Sequence, residues 1–456
     1  MKRPHITKCQ TTGKIISFSV LLLYLLCVII VRCLPTLFTK QDIWITFLTL
    51  GYAMVNFFIG ALPLALTALT IPVVLAASGV LSVEEAFRPI SNSTILTFGG
   101  MFIVGGALFH TGLAERISRC LLRLAVGKRS YVCFMLMMLT AAMSSVLSNT
   151  GTAAVLVPIV CAICDSAGWR RKDLLYPMAV LCSTGGMITL VGTPPNLACN
   201  GFIVETGLAP IGFFEFAAFG IPMTVVSIVY FLFLEKFLSN DGIPSENLEK
   251  LFAKEVTSLN RSQILSGLIL TAVIIVMIAD VMPIELAAVG GALLCIFLGV
   301  LSPKEAYESL DLSVLFLFAG ALALSIALES SGAGELLSQY IVNLFEGRLT
   351  HRLLVTVLFF VTNFLTHFMS NTACFALMAP IGLKISEGIG ISPYPIMITI
   401  AFAASAAFAT PVATPPNTMI LGPSNMSFRE FLILGLPLCL AAYLISILIV
   451  PVFWPF

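Results

Sequence analysis

The chain has 456 residues, of which 59% are hydrophobic and only 10% charged. A soluble domain carries about 25% charged residues, so the chain cannot cover a water-facing surface, and its mean hydropathy of +1.04 identifies an all-α polytopic membrane protein. A net charge of +1 offers nothing to nucleic acid, and the apolar runs are continuous rather than alternating over segments of about ten residues, which excludes a membrane barrel.

The chain opens on a basic stretch (Lys2, Arg3, Lys8, Lys14) and an apolar run over 15–34 with no small-residue cleavage site, which predicts a retained first helix within 1–34. Further runs of about 20 residues, enough to cross a hydrocarbon core of about 30 Å, follow at 44–61, 62–81, 93–113, 174–208, 211–234, 263–280, 284–301, 312–330, 395–422 and 430–453. Two others, 131–164 and 353–386, each carry a Ser-Asn-Thr triplet near the middle. Short loops rich in Lys and Arg stay in the cytoplasm. Loop 114–130 holds Arg116, Arg119, Arg123, Lys128 and Arg129, and loop 165–173 holds Arg170, Arg171 and Lys172. Both therefore lie inside with the N-terminus, and 131–164 must enter and leave from one face.

The arms of that segment, about 15–17 residues each, are at the short limit for a span. A polar tip suits mid-depth, so the segment predicts a re-entrant hairpin, allowed where protein or a water-filled cavity surrounds it. Segment 235–262 mixes charges and reads as a cytoplasmic linker. The cysteines, Cys161 and Cys164 included, sit in apolar stretches and read as packing residues. His5, His110, His351 and His367 show no metal-ligand spacing.

The polar motifs come in pairs. Ser148-Asn149-Thr150 leads after 45 residues to Thr193-Pro194-Pro195-Asn196, and Ser370-Asn371-Thr372 leads after 44 to Thr414-Pro415-Pro416-Asn417. Ser82-Val-Glu-Glu-Ala-Phe87 resembles Ser302-Pro-Lys-Glu-Ala-Tyr307, Pro158 matches Pro380, and Glu215-Phe216 with Gly220 and Pro222 is echoed by Glu430-Phe431 with Gly435 and Pro437. Each half, 44–234 and 263–453, thus holds five spans and one hairpin. Five is odd, so the second half must be inverted, with its hairpin entering from outside and the C-terminus outside. This is the pattern of secondary transporters.

Thr-Pro-Pro-Asn cannot continue a helix, because two prolines remove two donors and clash with the preceding turn. Spans 174–208 and 395–422 are therefore expected to break near Gly192-Thr193 and Ala413-Thr414. Breaks and tips expose carbonyls, which suit a small hard cation, and N–H groups, which suit an anion. A carboxylate can then be held without a buried arginine, and Lys and Arg are nearly absent from the predicted spans. The pairs Gly185-Gly186 and Ala406-Ala407 read as close-packing positions.

On these motifs the chain resembles the divalent anion/sodium symporter family, transporters of di- and tricarboxylates and sulfate, over nearly its whole length after the first helix. The resemblance implies an inverted repeat of about eleven spans and two hairpins, a homodimer, and a transport domain that moves against a scaffold as an elevator. It implies a first sodium site from Ser144, Ser148, Asn149 and the carbonyl of Gly192, and a second from Thr366, the carbonyl of Met369, Asn371 and the carbonyl of Ala413. Substrate carboxylates would meet Ser148, Asn149, Thr150, Ser370, Asn371 and Thr372, with Thr193, Pro194, Thr414 and Pro415 beside them. The chain departs from the family at His367, where many relatives carry an acid; it reads either as a packing histidine or as a titratable group beside the second cation.

The expected function is sodium-coupled symport of a C4-dicarboxylate in the cell membrane, with sodium-independent exchange and citrate or sulfate transport as alternatives. A cation/proton antiporter would bury an acid near the breaks, whereas Glu205, Asp280, Glu285 and Glu329 fall near span ends. No nucleophile and base accompany the motifs, so no enzyme is expected.

Overall fold

The computed structural model describes residues 8–35, 38, 40–59, 62–123, 129–238, 259–279, 281–344 and 350–456; these form helices joined by short turns, with no strand among them. Asp280 and most of the expected linker, 239–258, lie outside the described residues. Among the described helices, eight are long and apolar enough to cross a membrane, and six apolar ones are shorter.

Helix α1 (Lys8–Cys33) packs on α2 (Gln41–Ile59), with Tyr24 stacked on Tyr52 at 4.4 Å and Arg32 paired to Asp42 at 2.8 Å. After α2 come α3 (Leu64–Ala77), α4 (Val83–Phe87), α5 (Ser93–His110), α6 (Leu113–Arg123), α7 (Arg129–Ser144), α8 (Asn149–Ala167), α9 (Lys172–Gly186), α10 (Pro194–Glu205) and α11 (Ala217–Leu238). The rest of the chain forms α12 (Arg261–Ile278), α13 (Ile284–Phe297), α14 (Pro303–Glu308), α15 (Leu312–Ser330), α16 (Ala333–Leu344), α17 (His351–Thr366), α18 (Asn371–Ile389), α19 (Pro393–Ser405), α20 (Pro415–Ser424) and α21 (Phe428–Phe453).

The similar segments make similar structures. Ser82 caps α4 and Ser302 caps α14, each in a reciprocal capping box with the glutamate three residues on (Glu85, Glu305). Helix α5 crosses α13 where a Cβ on Gly100 would lie 2.5 Å from the Ala288 carbonyl carbon; α15 crosses α3 where one on Gly320 would lie 2.5 Å from the Ala68 oxygen. Backbones this close require glycine, the usual device where lipid supplies no hydrophobic drive between helices. Gly220 and Gly435 let α11 and α21 lie on the chain that follows α9 and α19, each 2.5–2.7 Å from backbone at Met187–Ile188 and Phe408–Ala409 if given a Cβ.

The two ends of the bundle are distinguishable. At one, a 250 Å³ cleft gathers Arg129 and Lys172 at the starts of α7 and α9, Glu235 near the end of α11 and Glu430 at the start of α21. Arg129 pairs with Asp173 at 2.8 Å, and Lys172 with Glu430 at 2.7 Å. The opposite ends of α11 and α21 meet the start of α19, where Tyr394 donates to the Ala209 carbonyl, and the start of α17, where His351 stacks on Phe456 at 4.4 Å. The pair α7–α8 therefore opens toward the basic end and the pair α17–α18 toward the other, with α9 and α19 starting at opposite ends.

Two expectations need correction. Residues read as the loop 114–130 are helical as far as Arg123: Ala114 and Ser118, one turn apart, face the protein, while Glu115 and Arg119 pair at 2.7 Å on the exposed side. The span breaks are longer than the Thr-Pro-Pro motif. Helix α9 stops at Gly186 and α10 resumes at Pro194; α19 stops at Ser405 and α20 resumes at Pro415.

Candidate functional site

Both tips and both breaks face one cavity of about 660 Å³, lined by Ser148, Asn149, Thr150, Gly192, Thr193, Pro194, Ser370, Asn371, Thr372, Thr414 and Pro415. All ten residues expected to meet substrate are among them. Each motif supplies the start of a helix. Ser148, Thr193, Ser370 and Thr414 are the N-cap residues of α8, α10, α18 and α20. The Ser148 hydroxyl accepts from Gly151 N–H at 3.1 Å and Ser370 from Ala373 N–H at 3.2 Å; Thr414 accepts from Asn417 N–H at 3.3 Å. Proline at the first helical position suits α10 and α20, since its missing N–H would be unpaired there anyway.

Four helix N-termini thus open on one space whose described lining holds no Lys or Arg. Each carries roughly half a positive charge, so four together approach the charge of a dianion. The far wall belongs to α3, α5, α14 and α15, with Phe98, Met101, Phe109 and His110 from α5 and Glu308, Ser309 and Asp311 from the α14–α15 corner. Asp311 already serves as N-cap of α15, accepting from Ser313 N–H at 3.0 Å.

Behind the N-termini lie two clusters of oxygen. The Ser144 hydroxyl is 2.6 Å from the Cys182 carbonyl and 2.7 Å from one end of the Asn149 amide. That same amide end is 3.0 Å from the Cys182 oxygen and 3.2 Å from the Gly192 oxygen. With its nitrogen turned inward, the amide donates to these carbonyls. With its oxygen inward, four oxygens converge around a single hydroxyl proton, a donor set suited to a small hard cation. The second cluster repeats three of these four groups: the Thr366 hydroxyl is 2.6 Å from the Ala404 carbonyl and 3.1 Å from Asn371 Oδ1. Cys182 and Ala404 were not among the expected donors. Met369 and Ala413 are buried outside the cavity lining, and Ser144 and Thr366 are fully buried behind it.

Gly185 and Gly186 are close-approach positions. A Cβ on Gly185 would lie 2.5 Å from the Ala141 oxygen, and one on Gly186 would strike the Asn149 amide. His367 packs. Its Nδ1–H donates to the Asn363 carbonyl and its Nε2 accepts from Ala409 N–H at 3.2 Å, so both nitrogens serve backbone. This favours the packing alternative over a titratable group beside the cation.

Lys384 is a buried cation in the segment 353–386, outside the spans from which Lys and Arg are nearly absent. It lies on α18 with its side chain only 6% exposed, held by Glu387 at 2.6 Å and Glu329 at 3.4 Å. Only the lysine is buried, Glu387 and Glu329 being 48% and 74% exposed, so removing both carboxylates leaves a buried charge without its partners, and removing the charge as well relieves that cost. The double substitution Glu329→Gln with Glu387→Gln is therefore expected to lower the thermal midpoint in detergent, and adding Lys384→Met to restore most of it. A double variant as stable as the parent would show the lysine is hydrated.

Sequence reasoning also missed the buried residues that shape the breaks. Asn196 Nδ2 reaches back to the Thr189 carbonyl at 2.8 Å, and Asn417 Nδ2 to that of Thr410 at 2.9 Å. A threonine four residues before each Thr-Pro-Pro-Asn was the available signal.

The family model described as a citrate transporter (CitMHS) matches residues 44–360 and 347–455. An uncharacterized transporter of Haemophilus influenzae is 31% identical over 414 residues, covering 86% of this chain and 88% of that protein. The sodium-dependent dicarboxylate transporter SdcS of Staphylococcus saprophyticus is 24% identical over 430 residues, covering 86% and 82%. Among solved structures, the YdaH transporter of Alcanivorax borkumensis shares the fold with a TM-score of 0.58 at 15% identity, over 83% of this chain and 88% of its own. MtrF of Neisseria gonorrhoeae does so at 0.58 and 17%, over 84% of each chain.

Proposed function

The chain belongs to the CitMHS citrate-transporter family and is a multi-pass membrane transporter rather than an enzyme; on that premise we propose that it is a sodium-coupled symporter of C4-dicarboxylates of the succinate, malate or fumarate type. The observation that carries this reading is the meeting of four helix N-termini, three of them capped by a side chain, in one cavity free of Lys and Arg among its described lining. N-termini favour the carboxylates. The carbonyl ends of α7, α9, α17 and α19 lie just behind them and oppose an anion. A sodium ion in each oxygen cluster offsets those carbonyl ends, which ties anion binding to cation binding. The sodium-dependent dicarboxylate relative supports the same coupling.

In this reading the two halves are inverted repeats in the cell membrane, and α7–α8 and α17–α18 are re-entrant hairpins. Their opening toward opposite ends of the bundle supports it. The N-terminus is cytoplasmic and the C-terminus outside. The glycine crossings of α3, α5, α13 and α15 belong to a fixed scaffold, set in a homodimer, against which hairpins and broken helices move as an elevator. The cavity runs along α5 from Phe98 to His110, whereas Phe318, Leu322 and Leu328 of α15 are buried. The conformation is accordingly open toward the basic, cytoplasmic end.

Purified protein in proteoliposomes is expected to accumulate labelled succinate only under an inward sodium gradient. Equal uptake with choline in place of sodium would overturn symport, and uptake that then requires internal dicarboxylate would identify an exchanger. The citrate-transporter family match favours citrate as the alternative substrate; stronger competition by citrate than by malate would transfer the assignment, and sulfate serves as the third competitor.

A further inference from the structure

Thr189 and Thr410 occupy matching places in the two breaks, and both are almost wholly buried. The Thr189 hydroxyl donates to the carbonyl of Ser145, the residue after Ser144 in the tip between α7 and α8. It also accepts from the N–H of Gly192 at 3.1 Å. One hydroxyl therefore ties the tip to the peptide beside the Gly192 carbonyl. The Thr410 hydroxyl donates to the carbonyl of His367, the residue after Thr366 in the other tip, at 2.8 Å. There the imidazole adds a second tie, accepting from Ala409 N–H at 3.2 Å. Each threonine's own carbonyl is held by the asparagine of Thr-Pro-Pro-Asn, so the side chain bonds the tip while the backbone closes the break.

The oxygens of each cluster come from separate pieces of chain: Ser144 and Asn149 from a tip, Cys182 and Gly192 from a broken helix. A small cation tolerates little error in its oxygen distances, so the gap between tip and break governs affinity. We propose that Thr189 and Thr410 are positioning residues, staples that set the spacing of the first and second cation sites, with His367 completing the second staple. Neither threonine side chain lines the cavity, so they act through other groups. The inference rests on the sodium-site reading, and it explains the asymmetry of the tips: Ser145 needs only its carbonyl, whereas His367 uses carbonyl and ring.

The test compares Thr189→Val, Thr189→Ser, Thr410→Val and Thr410→Ser in proteoliposomes, reading the sodium concentration for half-maximal succinate uptake separately from the maximal rate at saturating sodium. Each valine variant is expected to raise half-saturating sodium about tenfold, the equivalent of a hydrogen bond or two, while the maximal rate stays within about twofold and serine restores the parental value. Hydrogen exchange without sodium provides a second readout. Thr189→Val should speed exchange in both 145–150 and 189–196, and Thr189→Ser should not. Valine variants with parental sodium half-saturation, or a loss that serine does not restore, would overturn the staple. If the parent ignores sodium, the symport reading fails, and the exchange measurement alone decides for or against the staple.

Discussion

Asn149→Ala and Asn371→Ala are each expected to abolish uptake while leaving a folded protein. Each asparagine opens a helix at the cavity and also touches the oxygen cluster behind it: Asn149 at 2.7 Å from the Ser144 hydroxyl, Asn371 at 3.1 Å from that of Thr366. Alanine removes the group shared by the proposed anion and cation subsites without disturbing the N-caps, which are Ser148 and Ser370. The expected loss is about 100-fold or more in rate, equivalent to roughly 2.7 kcal/mol. Thermal unfolding and size-exclusion profiles should match the parent, because both side chains border the cavity. Near-normal uptake by both single variants would refute the site. Asn149→Asp adds a further distinction. If the amide oxygen faces the cluster, an aspartate strengthens sodium binding in the absence of substrate; if the nitrogen faces it, the carboxylate meets two carbonyls and sodium binding weakens.

What could be read before folding was the set of long apolar runs and the duplicated polar motifs, since both are local. The run 312–330 became α15, Leu312–Ser330, and the prolines marked where α10 and α20 begin. The first halves of those spans end earlier than proline alone explains. Helix α9 stops at Gly186, where its last turn packs on Ala141 and Asn149, a contact with neighbouring chain that no window around 186 contains. Glu387, which pairs with Lys384, is three residues away and local, but the lysine's burial and its second pairing were not legible for a similar reason. The second partner, Glu329, sits on α15, and only packing brings it within 3.4 Å of Lys384. The carbonyls of Cys182 and Ala404 were invisible because every residue has one, and only the end of a helix near a serine or threonine hydroxyl makes it useful. His367 has two readings in the sequence, and the bonds of its nitrogens to Asn363 and to Ala409, the latter beyond any local window, favour packing.

The largest expected loss of stability comes from glycines far from any motif. At Gly100 an added Cβ would lie 2.5 Å from the Ala288 carbonyl carbon and 2.7 Å from its oxygen, and at Gly320 it would lie 2.5 Å from the Ala68 oxygen. Carbon contacts settle near 3.5–4.0 Å, and these neighbours are backbone, so no side chain can turn aside. The helices must separate by about 1 Å along their contact, and overpacking of this kind costs roughly 1–3 kcal/mol. Gly290, on α13 beside the same crossing, has open space where its Cβ would be. Alanine there should stabilise by up to about 1 kcal/mol through helix propensity. The expected result is opposite shifts in thermal midpoint: down for Gly100→Ala and Gly320→Ala, up or unchanged for Gly290→Ala. Leucine at 100 or 320 should prevent recovery of folded protein. Because both crossings belong to the proposed scaffold, surviving Gly100→Ala and Gly320→Ala protein should keep the parental sodium half-saturation, unlike the threonine variants. A Gly100→Ala protein as stable as Gly290→Ala would mean the crossing is looser than drawn, and a changed sodium dependence in either crossing variant would mean the scaffold is not mechanically separate from the site.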